Sequence, residues 1–252
     1  MILVLLLAAS ASAFQVHDKT AVLDFRYQWP SQASAIPALR RQLIAQMHHD
    51  RSRYTRMAEV DRRERGDKEF PFFPYSFSRV LHFAGQSGRL VSFADERITF
   101  TGGAHGNPST KALLWDRSLR DAVSFRGLFA RSPKSILQPR YCKQLAAQRR
   151  QKTGTENVFS IWEQCPDPLK QSVIPEDKDH DGRFDSINVT ANPYEVGSYA
   201  EGYYIVMLPV TPALINALKP QYRSSFEVQR QRSGAGAGGP GALLRHVPSL
   251  SI

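Results

Sequence analysis

The chain has 252 residues, 42% of them hydrophobic and 22% charged, an ordinary composition for one globular domain with a sizeable core. Its formal charge of +10 draws anionic partners. No stretch approaches the ~20 consecutive apolar residues that span a bilayer, so no transmembrane anchor is expected.

Residues 1–13 read as a cleaved signal peptide: an apolar run from Ile2 to Ala9 is followed by Ala11-Ser12-Ala13, the small-x-small pattern that a signal peptidase accepts. Only the terminal amine supplies the positive charge with which such leaders open, and a buried first strand is the competing reading. No cysteine follows the run, so lipid attachment is not indicated. Export places the domain in the periplasm or outside the cell. It also redirects the basic charge, much of it arginine between Arg40 and Arg65, from nucleic acid towards anionic polymers of the envelope. Cys142 and Cys165 are then expected to form a disulfide closing a loop of about 24 residues, worth roughly 3 kcal/mol.

From Ala21 to Trp29 polar and apolar residues alternate as in a half-buried strand, and Pro30 stops it. Leu39, Leu43, Met47, Tyr54, Met57 and Val60 recur at helical spacing from Ile36 to about Arg65, predicting a long amphipathic helix. Phe70 to Thr101 predicts an antiparallel hairpin about the turn Gly85-Gln86-Ser87-Gly88, and Lys111 to Trp115 a neighbouring strand. Ser124 to Phe129 predicts a helical turn, and Ser132-Pro133 places a cap and a first-turn proline before a second helix, Lys134 to Lys152. Strands follow at Ser186 to Ala191 and Tyr203 to Leu208, then a short helix opened by Thr211-Pro212. The prediction is an α+β domain over residues 14–229: antiparallel sheet or sheets packed with a long N-terminal helix and a second central one. Residues 230–252 read as a disordered glycine-rich tail. Its Gly234, Gly236 and Gly239 satisfy GxGxxG without a preceding strand, so no nucleotide site is expected.

Asp177-Lys178-Asp179-His180-Asp181-Gly182-Arg183-Phe184-Asp185 follows the first nine positions of an EF-hand calcium loop. Asp177, Asp179 and Asp181 would offer carboxylates, Arg183 its carbonyl, and Asp185 a direct or water-mediated contact. The twelfth position is Asn188 rather than a bidentate glutamate and neither flank reads as a long helix, so a weak calcium site outside a true EF-hand is the expectation, an acidic turn without metal the alternative. His105 has no identifiable catalytic partner, and no GxSxG or HExxH pattern is present. Adjacent His48 and His49 point about 100° apart on a helix, which suits a metal poorly.

Two stretches, Thr101-Gly102-Gly103-Ala104-His105-Gly106-Asn107 and Asn192-Pro193-Tyr194-Glu195-Val196-Gly197-Ser198-Tyr199-Ala200-Glu201-Gly202, with Phe125-Leu128-Phe129 between them, carry a resemblance. Together they resemble the exported domain of unknown function found at the C-terminus of the anti-sigma factor RsiV and beside the catalytic domain of the deacetylase PdaC. The resemblance spans roughly Ala21 to Phe226. It implies an α+β envelope domain that binds rather than catalyses. In RsiV the related domain is a receptor for lysozyme; in PdaC the chemistry belongs to the neighbouring domain. Neither sigma-factor control nor deacetylation is expected to carry over. Lysozymes are basic like this chain, so long-range steering would be repulsive and an anionic wall glycan fits the charge better. The leading expectation is therefore a non-enzymatic envelope protein that binds peptidoglycan or another cell-wall component through His105, Asn107, Tyr194, Glu195, Tyr199 and Glu201. Tyr203 and Tyr204 extend the sugar-stacking candidates, although strand alternation would bury half of the four tyrosines. The alternatives are a sensor or inhibitor of a lysozyme-like wall hydrolase, and a hydrolase using His105 with nearby carboxylates.

Overall fold

A computed structural model describes residues 11–65, 71–154 and 165–229. The signal-peptide reading falls mostly, and the glycine-rich tail and its GxGxxG match entirely, outside the described residues. Two sheets organise the domain. A six-stranded sheet runs in chain order through β1 (Phe14–Lys19), β2 (Leu23–Trp29), β3 (Tyr75–Gln86), β4 (Leu90–Phe100), β5 (Asn107–Asp116) and β6 (Asp121–Val123). A three-stranded sheet holds β7 (Ser172–Glu176), β8 (Ser186–Ala191) and β9 (Tyr204–Pro209). The helices are α1 (Ser31–Ser34), α2 (Pro37–Arg65), α3 (Lys134–Thr153) and α4 (Pro212–Ala217). The α+β class with a long early helix and a second central one stands.

One pairing departs from the antiparallel expectation. β2 and β3 run parallel, Phe25 opposite Phe77, because α2 carries the chain the length of the sheet before β3 begins. Parallel neighbours need such a crossover, whereas the remaining pairs are antiparallel and join through shorter connections. Phe14 to Lys19, which lacked a strand signal, forms an edge strand antiparallel to β2, with Phe14 stacked on Trp29 at 3.8 Å. β7 was also missed: Pro175 demotes such a run, yet the strand pairs with β8 from Ser172↔Thr190 to Glu176↔Ser186.

There are two cores, one under the larger sheet alone and one that the smaller sheet shares with Leu90 and Leu114 of the larger. Leu23, Phe25, Tyr27 and Trp29 of β2, with Phe77, Leu81 and Phe93, pack beneath Leu39, Leu43 and Ala58 of α2. Met57 and Val60, assigned to the apolar stripe, are instead exposed, so the stripe narrows towards the helix end. Beneath α2 lies a buried ionic group in which Arg79 donates to both oxygens of Asp95 at 2.7 Å and to the hydroxyl of Tyr27. Burial is the largest influence on Tyr27 and pushes its pKa up to about 12.

The second core joins Leu137, Tyr141 and Leu145 of α3 to Ile187, Val189 and Ala191 of β8 and to Tyr204, Val206 and Leu208 of β9. β8 is buried along its whole length, with Ile187, Val189 and Ala191 in this core and the alternating polar residues Ser186, Asn188 and Thr190 buried on its other face. Pro133 takes the cap position of α3 rather than its first turn, with Ser132 Oγ accepting from the Lys134 N–H at 3.4 Å. Cys142 on α3 is disulfide-bonded to Cys165, as expected, with the Cα atoms 5.6 Å apart. Gly154 ends the helix in the left-handed region, φ 69°. Among the described residues no helix is long and apolar enough to cross a membrane.

Candidate functional site

The two motifs that carry the resemblance lie far apart in sequence and meet in space. The first is the β4–β5 connection, and the second links β8 to β9. The Tyr199 hydroxyl donates to the Gly106 carbonyl at 2.8 Å. The Tyr199 ring stacks on His105, centroids 3.7 Å apart and planes inclined by 18°. Tyr194 completes the group, 5.7 Å from the Tyr199 ring, with its hydroxyl 3.4 Å from His105 Nε2. Tyr194 is 57% exposed and sits in the left-handed region at φ 71°, where few non-glycine residues are found. His105 is exposed and Tyr199 half-buried, so the three rings form an open platform across the seam between the two sheets.

Polar residues behind the platform hold it rigid. Asn192, quoted in the motif but not chosen as a site residue, clamps the seam: its Oδ1 accepts from the Thr110 N–H at 2.6 Å and its Nδ2 donates to the Thr110 carbonyl at 3.3 Å. Ser172, at the start of β7, donates to the same carbonyl at 2.5 Å. Glu195 turns back to accept from the Asn192 N–H at 2.7 Å and from Asn192 Nδ2 at 3.2 Å. Glu201 accepts from the Ser198 N–H at 2.7 Å and from the hydroxyl of Tyr204. Burial alone would raise the pKa of Glu201, but these donors hold its carboxyl below the usual range. Lys152 at the end of α3 donates to the carbonyls of Glu201 and Tyr203 and lies 4.1 Å over the Tyr204 ring. Burial holds its ammonium below the ordinary lysine value. Gly197 leaves room for the Glu201 side chain, since a Cβ would stand 2.6 Å from Glu201 Oε2 and 3.0 Å from the Tyr204 ring.

The candidate residues thus separate by role. His105, Tyr194 and Tyr199 come together facing solvent. Glu195 and Glu201 belong to the same loop, but their oxygens are engaged in folding it. Asn107 opens β5 opposite Thr99 with its side chain exposed. Of the other two tyrosines, Tyr204 is buried, and Tyr203 is covered enough that burial pushes its pKa up to about 12. The hydrogen bonds of His105 among the described residues go to the Gly106 carbonyl, at 3.0 Å, and to Tyr194.

The acidic stretch forms the turn between β7 and β8. Ligand atoms of Asp177, Asp179 and Asp181 lie within 4.8 Å of one another. His180 and Gly182 adopt φ 64° and 89°, which folds the loop inward. Asp177 is 7% exposed; its Oδ2 accepts from the Gly182 N–H at 3.0 Å. Asp185 is buried and accepts from the Lys178 N–H at 3.0 Å. Burial, with the charges of Asp179 and Asp177 adding to it, raises its carboxyl above the ordinary value. Asn188, at the twelfth loop position, lies within β8 and donates to Glu176 at 2.7 Å. A carboxylate invisible to the loop pattern approaches from the far end of the chain: Glu227 pairs with Arg183 and lies against Asp181.

Comparison with known proteins agrees with the resemblance. The family model described as Deacetylase PdaC matches residues 16–108, from β1 into β5, a span that includes His105 but not Tyr194 or Tyr199. A crystal structure of a DUF3298-family member from Bacteroides fragilis is 15% identical, with a TM-score of 0.52 over 85% of this chain and 95% of that one. A DUF3298-family protein from Pseudomonas aeruginosa is likewise 15% identical, with a TM-score of 0.49 over 87% of this chain and 96% of that one. At 15% identity the likeness to the Bacteroides structure is one of fold. No curated protein matches the chain.

Proposed function

We propose that the chain is an exported, non-enzymatic binding domain of the bacterial envelope that holds an anionic wall glycan, peptidoglycan in the first instance, on the platform of His105, Tyr194 and Tyr199. The observation that carries this reading is the platform itself: three rings, one of them 57% exposed, fixed by a bonded frame at the point where the two motifs meet. Aromatic faces with polar edges suit sugar rings, which present an apolar face rimmed by hydroxyls. A rigid frame lowers the ordering cost of binding.

Charge supports the same ligand. Arg40, Arg41, Arg51, Arg53, Arg56, Arg62 and Arg63 lie exposed along α2. The helix ends near the platform loop, with Arg65 Nη2 3.4 Å from where a Cβ on Gly102 would sit. An acidic polymer stacked on the rings could therefore continue towards the basic helix. Binding is favoured over hydrolysis because Glu195 and Glu201 are committed to loop hydrogen bonds and His105 is held by a carbonyl and a phenol rather than a carboxylate. Export is supported by the disulfide, which persists in oxidising compartments.

The test is co-sedimentation with purified sacculi across about 0.05 to 0.5 M salt, which screens long-range charge. The expected result is retention at low salt that falls at least tenfold as salt rises. No retention at low salt would overturn the reading. Protection of sacculi from lysozyme without sedimentation would replace it with the wall-hydrolase inhibitor.

A further inference from the structure

The acidic turn between β7 and β8 contains more negative charge than its surroundings neutralise. Asp177, Asp179 and Asp181 converge there, with Asp185 buried behind them and Glu227 brought alongside. Arg183 is engaged by Asp181 at 3.3 Å and by Glu227, while Lys178 is paired with Glu176 outside the cluster. The decisive observation is a buried oxygen. Asp177 is more than nine-tenths buried, and among the described residues its Oδ1 has no hydrogen-bond partner; the buried Oδ1 of Asp179 also has none. A carboxylate oxygen removed from water and left without a donor is costly, unless a cation takes the place of the donor.

We infer that this turn binds one calcium ion through Asp177, Asp179 and Asp181, with Asp185 and Glu227 completing the acidic shell. Hard oxygen donors at alternating positions suit calcium, whose flexible coordination tolerates a set assembled from two chain segments. Glu227 supplies from a distance the carboxylate that the loop lacks at its twelfth position. Magnesium demands a stricter octahedron and gives up its water reluctantly, so it is the weaker ligand here.

The ion would act as a clasp. The Asp177 N–H donates to the Ala84 carbonyl at the end of β3, at 3.0 Å. Phe184 and Glu227 tie the loop to the C-terminal segment through Phe184 N–H to Ser225 carbonyl, at 2.9 Å, and Glu227 N–H to Phe184 carbonyl, at 3.0 Å. Ser87 in the β3–β4 turn donates to Ser225 Oγ at 2.9 Å. Calcium here would fasten the larger sheet, the smaller sheet and the end of the domain together.

The test is calorimetric and thermal titration of the chelator-treated full chain with calcium chloride, and separately with magnesium chloride. Calcium should bind with Kd about 10⁻⁴ to 10⁻³ M, the range of extracellular modules. At tenfold excess over Kd it should raise Tm by about 3–6 °C. Asp179→Ala should be at least as stable as the parent without calcium, because it removes one of the crowded charges, and should bind calcium at least tenfold more weakly because no ligand oxygen remains there. Glu227→Gln gives a second reading from the other segment, with a smaller loss of affinity. Absence of heat and of any Tm change at about 10 mM calcium would overturn the assignment. So would an equal response to magnesium, or an undiminished calcium response in Asp179→Ala.

Discussion

Beside the core that the two sheets share, hydrogen bonds join them at two junctions, and β7 runs from one to the other. At its first residue Ser172 bonds to Thr110 beside the aromatic platform; just beyond its last, Asp177 bonds to Ala84 beside the acidic turn. Five residue steps separate them, about 17 Å at 3.3 Å per residue. At the platform junction the carboxylates and the amide find partners within the protein: Asn192 against Thr110, Glu195 against Asn192, Glu201 against Ser198 and Tyr204. What remains for solvent is an array of rings. At the acidic junction the backbone is tied down while carboxylate oxygens stay without donors. One junction pairs its charged groups and presents a surface; the other leaves buried carboxylate oxygens for the cation that we propose.

Substitutions can break each junction separately. The largest effect is expected at the acidic end from Gly85→Ala. Gly85 has φ 146°, and a Cβ there would lie 2.6 Å from Asp177 Cβ and 2.7 Å from its backbone nitrogen. Neither can retreat easily, so chemical denaturation should show a loss of about 3 kcal/mol or more. Replacing Cys142 and Cys165 by serine gives a reference that touches neither junction directly; it should cost roughly 3 kcal/mol. Gly197→Ala is the counterpart at the platform, where the obstructing atoms belong to the Glu201 side chain, and about 1–3 kcal/mol is expected. Because it dislodges Glu201 from Ser198 and Tyr204, it should also weaken sedimentation with sacculi.

Acidity sharpens the contrast. Glu201 titrates below its ordinary value of 4.5 in the folded protein, so its contribution is present in full above that pH and lost as pH falls through the lower folded value. Glu201→Gln should therefore cost about 1–2 kcal/mol at pH 7. The gap between the two melting curves should close as pH falls below about 4.5. A gap that persisted unchanged to pH 2 would show that the carboxylate charge is not what holds the loop. The smallest effect on stability is expected for Tyr194→Ala, within about 0.5 kcal/mol because the ring is exposed. The same variant should lose several-fold to about tenfold in glycan affinity, the worth of one aromatic contact of about 0.5–1.5 kcal/mol.

Local pattern made much of this fold legible. The alternation in β2, the hairpin about Gly85, the spacing of α2 and the Thr211-Pro212 helix start all appear where short-range chemistry places them. β1 and β7 did not, since the alternation of β1 stops after Phe14-Gln15-Val16-His17 and Pro175 interrupts β7. Each exists because a neighbour offers it a pairing edge, β2 for Phe14 to Lys19 and β8 for Ser172 to Glu176. The parallel register of β2 and β3 was equally hidden, being set by the return path of α2. At the site, glycines and tyrosines marked the two motifs, but their meeting depends on contacts such as Tyr199 with Gly106, 93 residues apart. The clamp role of Asn192 had no signal beyond its place at the head of its motif. Glu227 had none at all, because its relevance comes from the chain returning past Phe184.

Amide hydrogen exchange on the intact chain, with soluble glycan fragments of peptidoglycan and then with calcium, tests the division of labour most directly. The fragments should protect residues 101–107 and 192–202, and calcium should protect 177–185 and 225–227. Fragments that left 101–107 and 192–202 unprotected, or that protected only other surfaces, would contradict the assignment of the aromatic junction as the binding site.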